Sequence, residues 1–275
     1  MTASADTISS PANPRVKAAV RLRDRRERDE RGLTLIDGGR EILRALAQSV
    51  EVDHAFVCSE LVVGADASAA LDALQRSGAP LIEVSSAVLA KIAFGDRSDG
   101  LVAVIRSPSV ALEGLAPGMH PLVVVVEALE KPGNLGAIMR TADAVGASAV
   151  IAADPRTDVF NPNAIRASVG TIFSVPLAVA TASQALDWLV GHGLSAIAAR
   201  VDAPQPYADA DLGGSIAIVL GSEAGGLTST WNDPRVRSVR IPMRGAADSL
   251  NVSVAAAVLL FEARRQRAPG DAQRP

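Results

Sequence analysis

The chain has 275 residues, 48% of them hydrophobic and 21% charged, with 27 basic residues against 30 acidic ones for a formal charge of −3. That apolar fraction supplies a buried core and excludes a disordered chain. The near-zero charge excludes nucleic-acid affinity carried by the total, though not a local basic patch.

A single cysteine, Cys58, excludes an internal disulfide, and with His54, His120 and His192 it makes no zinc set. Both point to a reducing, cytoplasmic compartment and no metal. The N-terminus lacks a basic-then-apolar secretory pattern. The longest uncharged run, 167–186, is interrupted by Gly170, Pro176 and hydroxyl residues, so it reads as strand and loop rather than a membrane span.

In chain order, residues 15–31 carry eight basic side chains against four acidic ones. Asn13 followed by Pro14 predicts a helix start. Val16, Ala19, Val20 and Leu22 make only a weak stripe, so this mostly polar helix is either solvated, with pairs such as Asp24–Arg28 and Glu27–Arg31, or in contact with phosphates. Strands are predicted over 33–36, 54–58, 81–84 and 101–105, separated by helices over 40–50, 67–77 and 86–94, a small α/β domain. Gly114, Pro117 and Gly118 mark a linker.

A second α/β set opens with 122–127, a continuous apolar run expected of a parallel strand buried on both faces. A helix over 134–146 follows, then strands over 149–153 and 175–180, a helix over 182–190, and strands over 195–199, 216–220 and 239–241. A last helix spans 249–266. The organisation is a basic helical arm (1–32), an α/β domain (33–108), a linker (109–120), a second domain (121–267) and a disordered tail (268–275).

Ligands of open α/β sheets collect outside the carboxyl ends of strands, and three segments there carry unusual chemistry. In Glu130-Lys-Pro-Gly-Asn-Leu-Gly-Ala-Ile-Met-Arg-Thr-Ala, Arg140 lies off the helix's apolar face, where it pairs with Asp143 or meets solvent, a partner or a substrate. In Leu220-Gly-Ser-Glu-Ala-Gly-Gly-Leu, small residues let another molecule approach the backbone, with Glu223 in the turn. In Ser249-Leu-Asn-Val-Ser-Val-Ala, Ser249 is a candidate cap and Asn251 a first-turn hydrogen-bonder. None has the spacing of a dinucleotide or P-loop motif. Residues 250–261 are apolar on nearly every side, which requires enclosure and suggests a subunit interface.

In this order and spacing, the segments resemble the signature motifs of the SpoU (TrmH) family of knotted RNA 2′-O-ribose methyltransferases, over roughly Leu122–Arg267. The region before them, most clearly Phe94-Gly-Asp-Arg-Ser-Asp-Gly-Leu-Val-Ala-Val104, resembles the ribosomal-protein-like RNA-binding domain of members that act on ribosomal RNA. The resemblance implies an α/β protein whose C-terminal parallel-sheet methyltransferase domain is trefoil-knotted, homodimeric through that domain and dependent on S-adenosyl-L-methionine. It implies a cofactor site at Leu220, Gly221, Gly225, Ile241, Met243, Ser249 and Leu250. It also implies catalytic residues Arg140, Asn134, Glu223, Ser249 and Asn251.

A protonated guanidinium lacks an acceptor, so the role suited to Arg140 is to bind phosphate and stabilise a developing alkoxide. The lone thiol Cys58, in a predicted strand outside the motifs, disfavours pyrimidine C5 chemistry. RNA contacts are expected from Arg15, Arg21, Arg23, Arg25, Arg97 and Arg166. Ribosomal RNA is the expected substrate. The alternatives are a transfer RNA methyltransferase and a catalytically inactive RNA-binding or ribosome-assembly protein of the same fold.

Overall fold

The computed structural model describes residues 7–94, 99–223 and 225–267. Its first stretch runs α1 (Pro14–Arg21), α2 (Arg25–Arg31), β1 (Leu33–Asp37), α3 (Gly39–Ala47), β2 (Val52–Val57), α4 (Ala65–Ser77), β3 (Leu81–Glu83), α5 (Ser86–Ile92) and β4 (Leu101–Arg106). There follow β5 (Leu122–Glu127), α6 (Pro132–Val145), β6 (Ala149–Ala153), α7 (Pro162–Ala167), α8 (Thr171–Ser174), β7 (Leu177–Ala180) and α9 (Ala182–Gly191). The last part is β8 (Ser195–Ala199), β9 (Gln205–Pro206), β10 (Ile216–Leu220), β11 (Val236–Arg240) and α10 (Val252–Arg267). The chain divides into two compact units, one of Met1–Pro108 with Phe160–Ser174, the other of Ser109–Val159 with Val175–Pro275.

In the first unit the Asn-Pro signal holds: Asn13 Oδ1 accepts from the Arg15 N–H at 2.9 Å, with Pro14 opening α1. The single polar helix expected over 15–31 is two helices. Asp24 adopts extended angles and its side chain accepts from the Arg26 N–H at 2.8 Å, a cap that restarts the helix as α2. The weak stripe is buried, Val16, Ala19 and Leu22 joining Leu35, Phe56, Val102 and Val104 in one core. The sheet has the order β1-β4-β2-β3, antiparallel except for β2 with β3.

Two helices fall where none was expected. Part of the run 167–186, expected as strand and loop, is helical in α8: Gly170 reverses the chain with φ +80°, and Ser168 Oγ accepts from the N–H groups of Gly170 (3.1 Å) and Ile172 (3.4 Å). Asn161 caps α7 as Asn13 caps α1, its Oδ1 accepting from the Asn163 N–H at 2.9 Å ahead of Pro162. Among the described residues no helix is long and apolar enough to cross a membrane.

The second unit is built on a seven-stranded sheet of order β7-β6-β5-β10-β8-β11-β9, every pairing parallel. Every residue of β5, β6 and β10 is buried, as parallel strands covered on both faces require. From β5 the chain builds outward through β6 to β7, then crosses to β8 and β10 on the other side. β5 and β10 therefore flank the point where the strand order reverses. α10 packs on both α6 and β10. It begins at Val252 rather than 249: the Asn251 Oδ1 accepts from the Ser253 N–H at 2.9 Å, so Asn251 caps it and Ser249 stays in the preceding loop.

Candidate functional site

A cavity of about 480 Å³ opens at the carboxyl ends of β8, β10 and β11. Leu220, Gly221, Gly225, Ile241, Met243, Ser249 and Leu250 all lie on its walls. The loop after β8, with Arg200, Val201 and Asp202, also lines it, as does Asp248. Those residues were not anticipated, although the place of Arg200, Val201 and Asp202 at the carboxyl end of a strand, and of Asp248 beside Ser249, was a usable signal. The size suits a small organic cofactor. Apolar Leu220, Ile241, Met243 and Leu250 suit a flat ring and a methylene chain, while Asp202, Asp248 and Arg200 suit hydroxyl and charged groups.

Gly221 is obligatory. A Cβ there would stand 2.2 Å from the carbonyl carbon of Gly226, because the loop folds back on itself. Ser222 and Gly226 exchange two backbone hydrogen bonds, at 3.0 and 3.1 Å. The narrow neck aims Glu223 across the sheet toward α6.

There Glu223 is the centre of a brace joining all three motifs. Its carboxylate accepts from Lys131 Nζ and Asn134 Nδ2, and from Asn251 Nδ2 at 2.9 Å. Asn251 Nδ2 also reaches Asn134 Oδ1 at 3.3 Å, and Asn251 Oδ1 accepts from the Ser253 hydroxyl at 2.7 Å. Hydrogen bonds from Lys131 and then Asn134 hold Glu223 below the usual carboxylate range, and the same bond raises Lys131. Glu223 is thus a fixed anion rather than a base. Lys131 was missed because nothing in its local pattern names a partner at position 223. Ser249 lies on the cavity wall, and the brace does not include it.

Arg140 lies exposed on α6, and among the described residues it has no hydrogen-bond or ion-pair partner. The Asp143 pair is not formed, so the guanidinium's donors are open to an incoming anion.

In the first unit the basic side chains are more engaged. The Arg23 guanidinium donates to the carbonyls of Lys91 (3.0 Å), Ile92 (3.4 Å) and Ala93 (2.7 Å), closing the end of α5, and lies over the Phe94 ring. Arg25 pairs with Asp29 at 3.5 Å, Arg21 with Glu27 at 3.8 Å and Arg31 with Glu27 at 3.1 Å. Arg28 is buried and donates to the carbonyls of Leu22 and Arg23, each at 2.8 Å. Arg166 donates to the Phe94 carbonyl and to Asp37 Oδ2, at 3.3 Å from the latter. Arg15 is exposed, and Arg97 lies outside the described residues. A cleft of about 430 Å³ is lined by Asp37, Arg40, Glu41, Asp99 and Arg166. Burial pushes the Asp37 carboxyl up to about 6 against the opposing Phe94 N–H and Arg166, and burial also raises Glu41. Among the described residues no cluster has the makings of a metal site.

The description of the SpoU rRNA methylase family matches residues 121–261, and that of an MRM3-like substrate-binding domain matches residues 13–103. The chain is 38% identical to the 23S rRNA (guanosine-2′-O-)-methyltransferase RlmB of Ralstonia nicotianae, over 72% of this chain and 81% of that protein. A crystal structure of an RNA 2′-O ribose methyltransferase superposes with a TM-score of 0.84 at 44% identity, covering 95% of this chain and 99% of that one. The AdoMet complex of AviRb, a SpoU methyltransferase from Streptomyces viridochromogenes, superposes with a TM-score of 0.84 at 28% identity, covering 94% and 99%.

Proposed function

The chain belongs to the SpoU rRNA methylase family, and from that premise we propose that it transfers a methyl group from S-adenosyl-L-methionine to a ribose 2′-hydroxyl of ribosomal RNA. The observation that carries this reading is the meeting of the motifs: the loop after β10 both walls the cavity and presents Glu223 to Asn134 and Asn251. When bound, the cofactor supplies an activated methyl group on a sulfonium. Leu220, Gly221, Gly225, Ile241, Met243, Ser249 and Leu250 hold it. Asn134, Glu223 and Asn251 keep the three loops in register, so that little reorganisation accompanies reaction.

Arg140 binds the target phosphate and stabilises the oxyanion that develops as the 2′-hydroxyl loses its proton to water, a phosphate oxygen or a transiently neutral Arg140. Arg15 on α1 meets RNA backbone, with Arg21 and Arg25 reaching it by exchanging their carboxylate partners for phosphate. Arg23 and Arg166, tied to carbonyls of their own unit, position rather than contact.

The working unit is a homodimer formed through the second unit and acting in the cytoplasm. Val254 and Phe261 are 48% and 54% exposed on α10, an apolar surface that a second copy covers. The trefoil knot belongs to the same reading. Its support is that the chain leaves β11 near the sheet's edge and returns as α10 onto central β10 and α6. The test is methylation of deproteinised ribosomal RNA by the purified protein with labelled cofactor, followed by mapping of ribose methylation. Label recovered on a base, or none on ribosomal RNA, defeats the proposal.

A further inference from the structure

We infer that Glu127 is a positioning residue that sets the cofactor loop from beneath, acting through Thr228. Glu127 ends β5 and is 1% exposed, a state a carboxylate tolerates only when its oxygens are satisfied. Both are satisfied by one residue. Oε2 accepts from the Thr228 N–H at 2.8 Å, and Oε1 accepts from the Thr228 hydroxyl at 2.6 Å.

Thr228 is where the loop after β10 ends. At its start the loop is closed by Gly221 packed on Gly226 and by the Ser222–Gly226 exchange. These contacts shape the neck but do not say where the loop sits on the sheet. Glu127 supplies that: it ties the far end to the strand whose continuation leads through Lys131 to Asn134. Immediately after it, Ala128 turns with φ +51° and donates its N–H to the Ala153 carbonyl at 2.8 Å, so the anchor itself is held. One buried carboxylate therefore sets the separation across which Glu223 meets Lys131 and Asn134, and with it the wall formed by Gly221 and Gly225. A carboxylate suits this because two acceptors in one plane match two donors of one threonine, and charge-assisted bonds are the stronger kind.

The inference rests on the cavity being the cofactor's, and its test separates the two. In the full chain, Thr228→Val removes the hydroxyl bond and leaves the backbone one, while Glu127→Leu removes both. Thr228→Ser keeps both, and so does Glu127→Gln, whose amide accepts from the N–H and donates to the hydroxyl oxygen. Amide hydrogen exchange of residues 221–228 is measured without cofactor, and cofactor affinity by calorimetry. Breaking variants speed loop exchange and weaken cofactor binding about ten- to hundredfold, the scale of one or two hydrogen bonds to a buried charge. KM for the cofactor rises while kcat at saturation stays within about threefold, since only ground-state positioning is lost. The Ser variant behaves as wild type, the Gln variant, which keeps both partners but not the charge, loses less than Glu127→Leu, and the Glu127→Leu/Thr228→Val double variant is no worse than the worse single one.

Unchanged loop exchange in Glu127→Leu, exchange quickened equally throughout β5 and β10, or additive losses in the double variant each overturn the inference. A wild-type protein that binds no cofactor, yet whose loop responds as described, refutes the cavity's assignment and leaves the tie standing.

Discussion

In the first unit, Asp37 and Glu41 sit in a cleft whose burial raises both carboxyls, Asp37 to about 6, and among the described residues Asp37 Oδ1 has no partner. In the second, Glu223 lies at the tip of an exposed loop and is held low by Lys131 and Asn134, with Asn251 as a further partner. Burial without enough donors makes a carboxyl soft, ready to take a proton in the range of ordinary buffers. Donors without burial hold it below the usual carboxylate range and so favour the anion. The second arrangement suits a site whose loops must be in place before the substrate arrives.

The strongest way to break this contrast is at the group the second unit leaves open. Arg140→Ala is expected to lower methyl transfer about a hundred- to a thousandfold, the scale for losing an oxyanion-stabilising donor, with cofactor affinity by calorimetry unchanged. A near-normal rate would remove Arg140 from the mechanism. Next is Gly221→Ala, which drives a Cβ to 2.2 Å from backbone that cannot yield. Cofactor binding is expected to fall beyond detection while circular dichroism reports an intact fold, and retained affinity would show the loop to be pliant.

Glu223→Gln sharpens the contrast. Its amide oxygen can still accept from Asn134 and Asn251, so only the exposed Lys131 pair is lost, a weak interaction in water. A rate drop of no more than about tenfold is expected, flat between pH 6 and 8, a window in which the fixed anion of the parent does not titrate either.

Asp37 is expected to titrate where Glu223 does not. Asp37 has a folded pKa above its unfolded value, so the folded state prefers the protonated form. Its contribution to stability is fully present below the unfolded value near 3.8 and is lost as pH rises through about 6. Hydrogen exchange of β1 and α3 amides should therefore quicken from pH 4 to 6 beyond the intrinsic pH effect. Asp37→Asn should flatten that slope. Smallest of all, Arg15→Gln is expected to weaken RNA binding slightly and lower the slope of log affinity against log salt by about one.

Much of this was legible in residue order because it is local. Alternation and apolar runs located the strands except β9, which is only two residues long, and placed β11 at 239–241 where it runs Val236–Arg240; Asn13-Pro14 placed the first helix start. The same signature at Asn161-Pro162 stood unread before α7. The glycine-rich stretch after Leu220 announced close backbone approach, which Gly221 makes literal. Less legible was the use of Asp24 as a cap inside a charged run, because a charged residue suits a solvated helix and a helix start equally well. Arg23, counted among the RNA contacts, closes α5 through carbonyls 68 to 70 residues away.

By itself the sequence determined the alternation of strands and helices, the places where loops must be small, and the motif chemistry that identifies the family. Those properties depend on neighbours within a turn or a strand, where sterics and hydrogen-bond geometry act at fixed spacing. Only the tertiary structure decided which polar groups meet: Lys131 and Asn134 with Glu223, Asn251 across 117 residues with Asn134, Thr228 with Glu127 across 101. Such pairings are set by the order of strands in the sheet, and strand order follows from how the whole core packs.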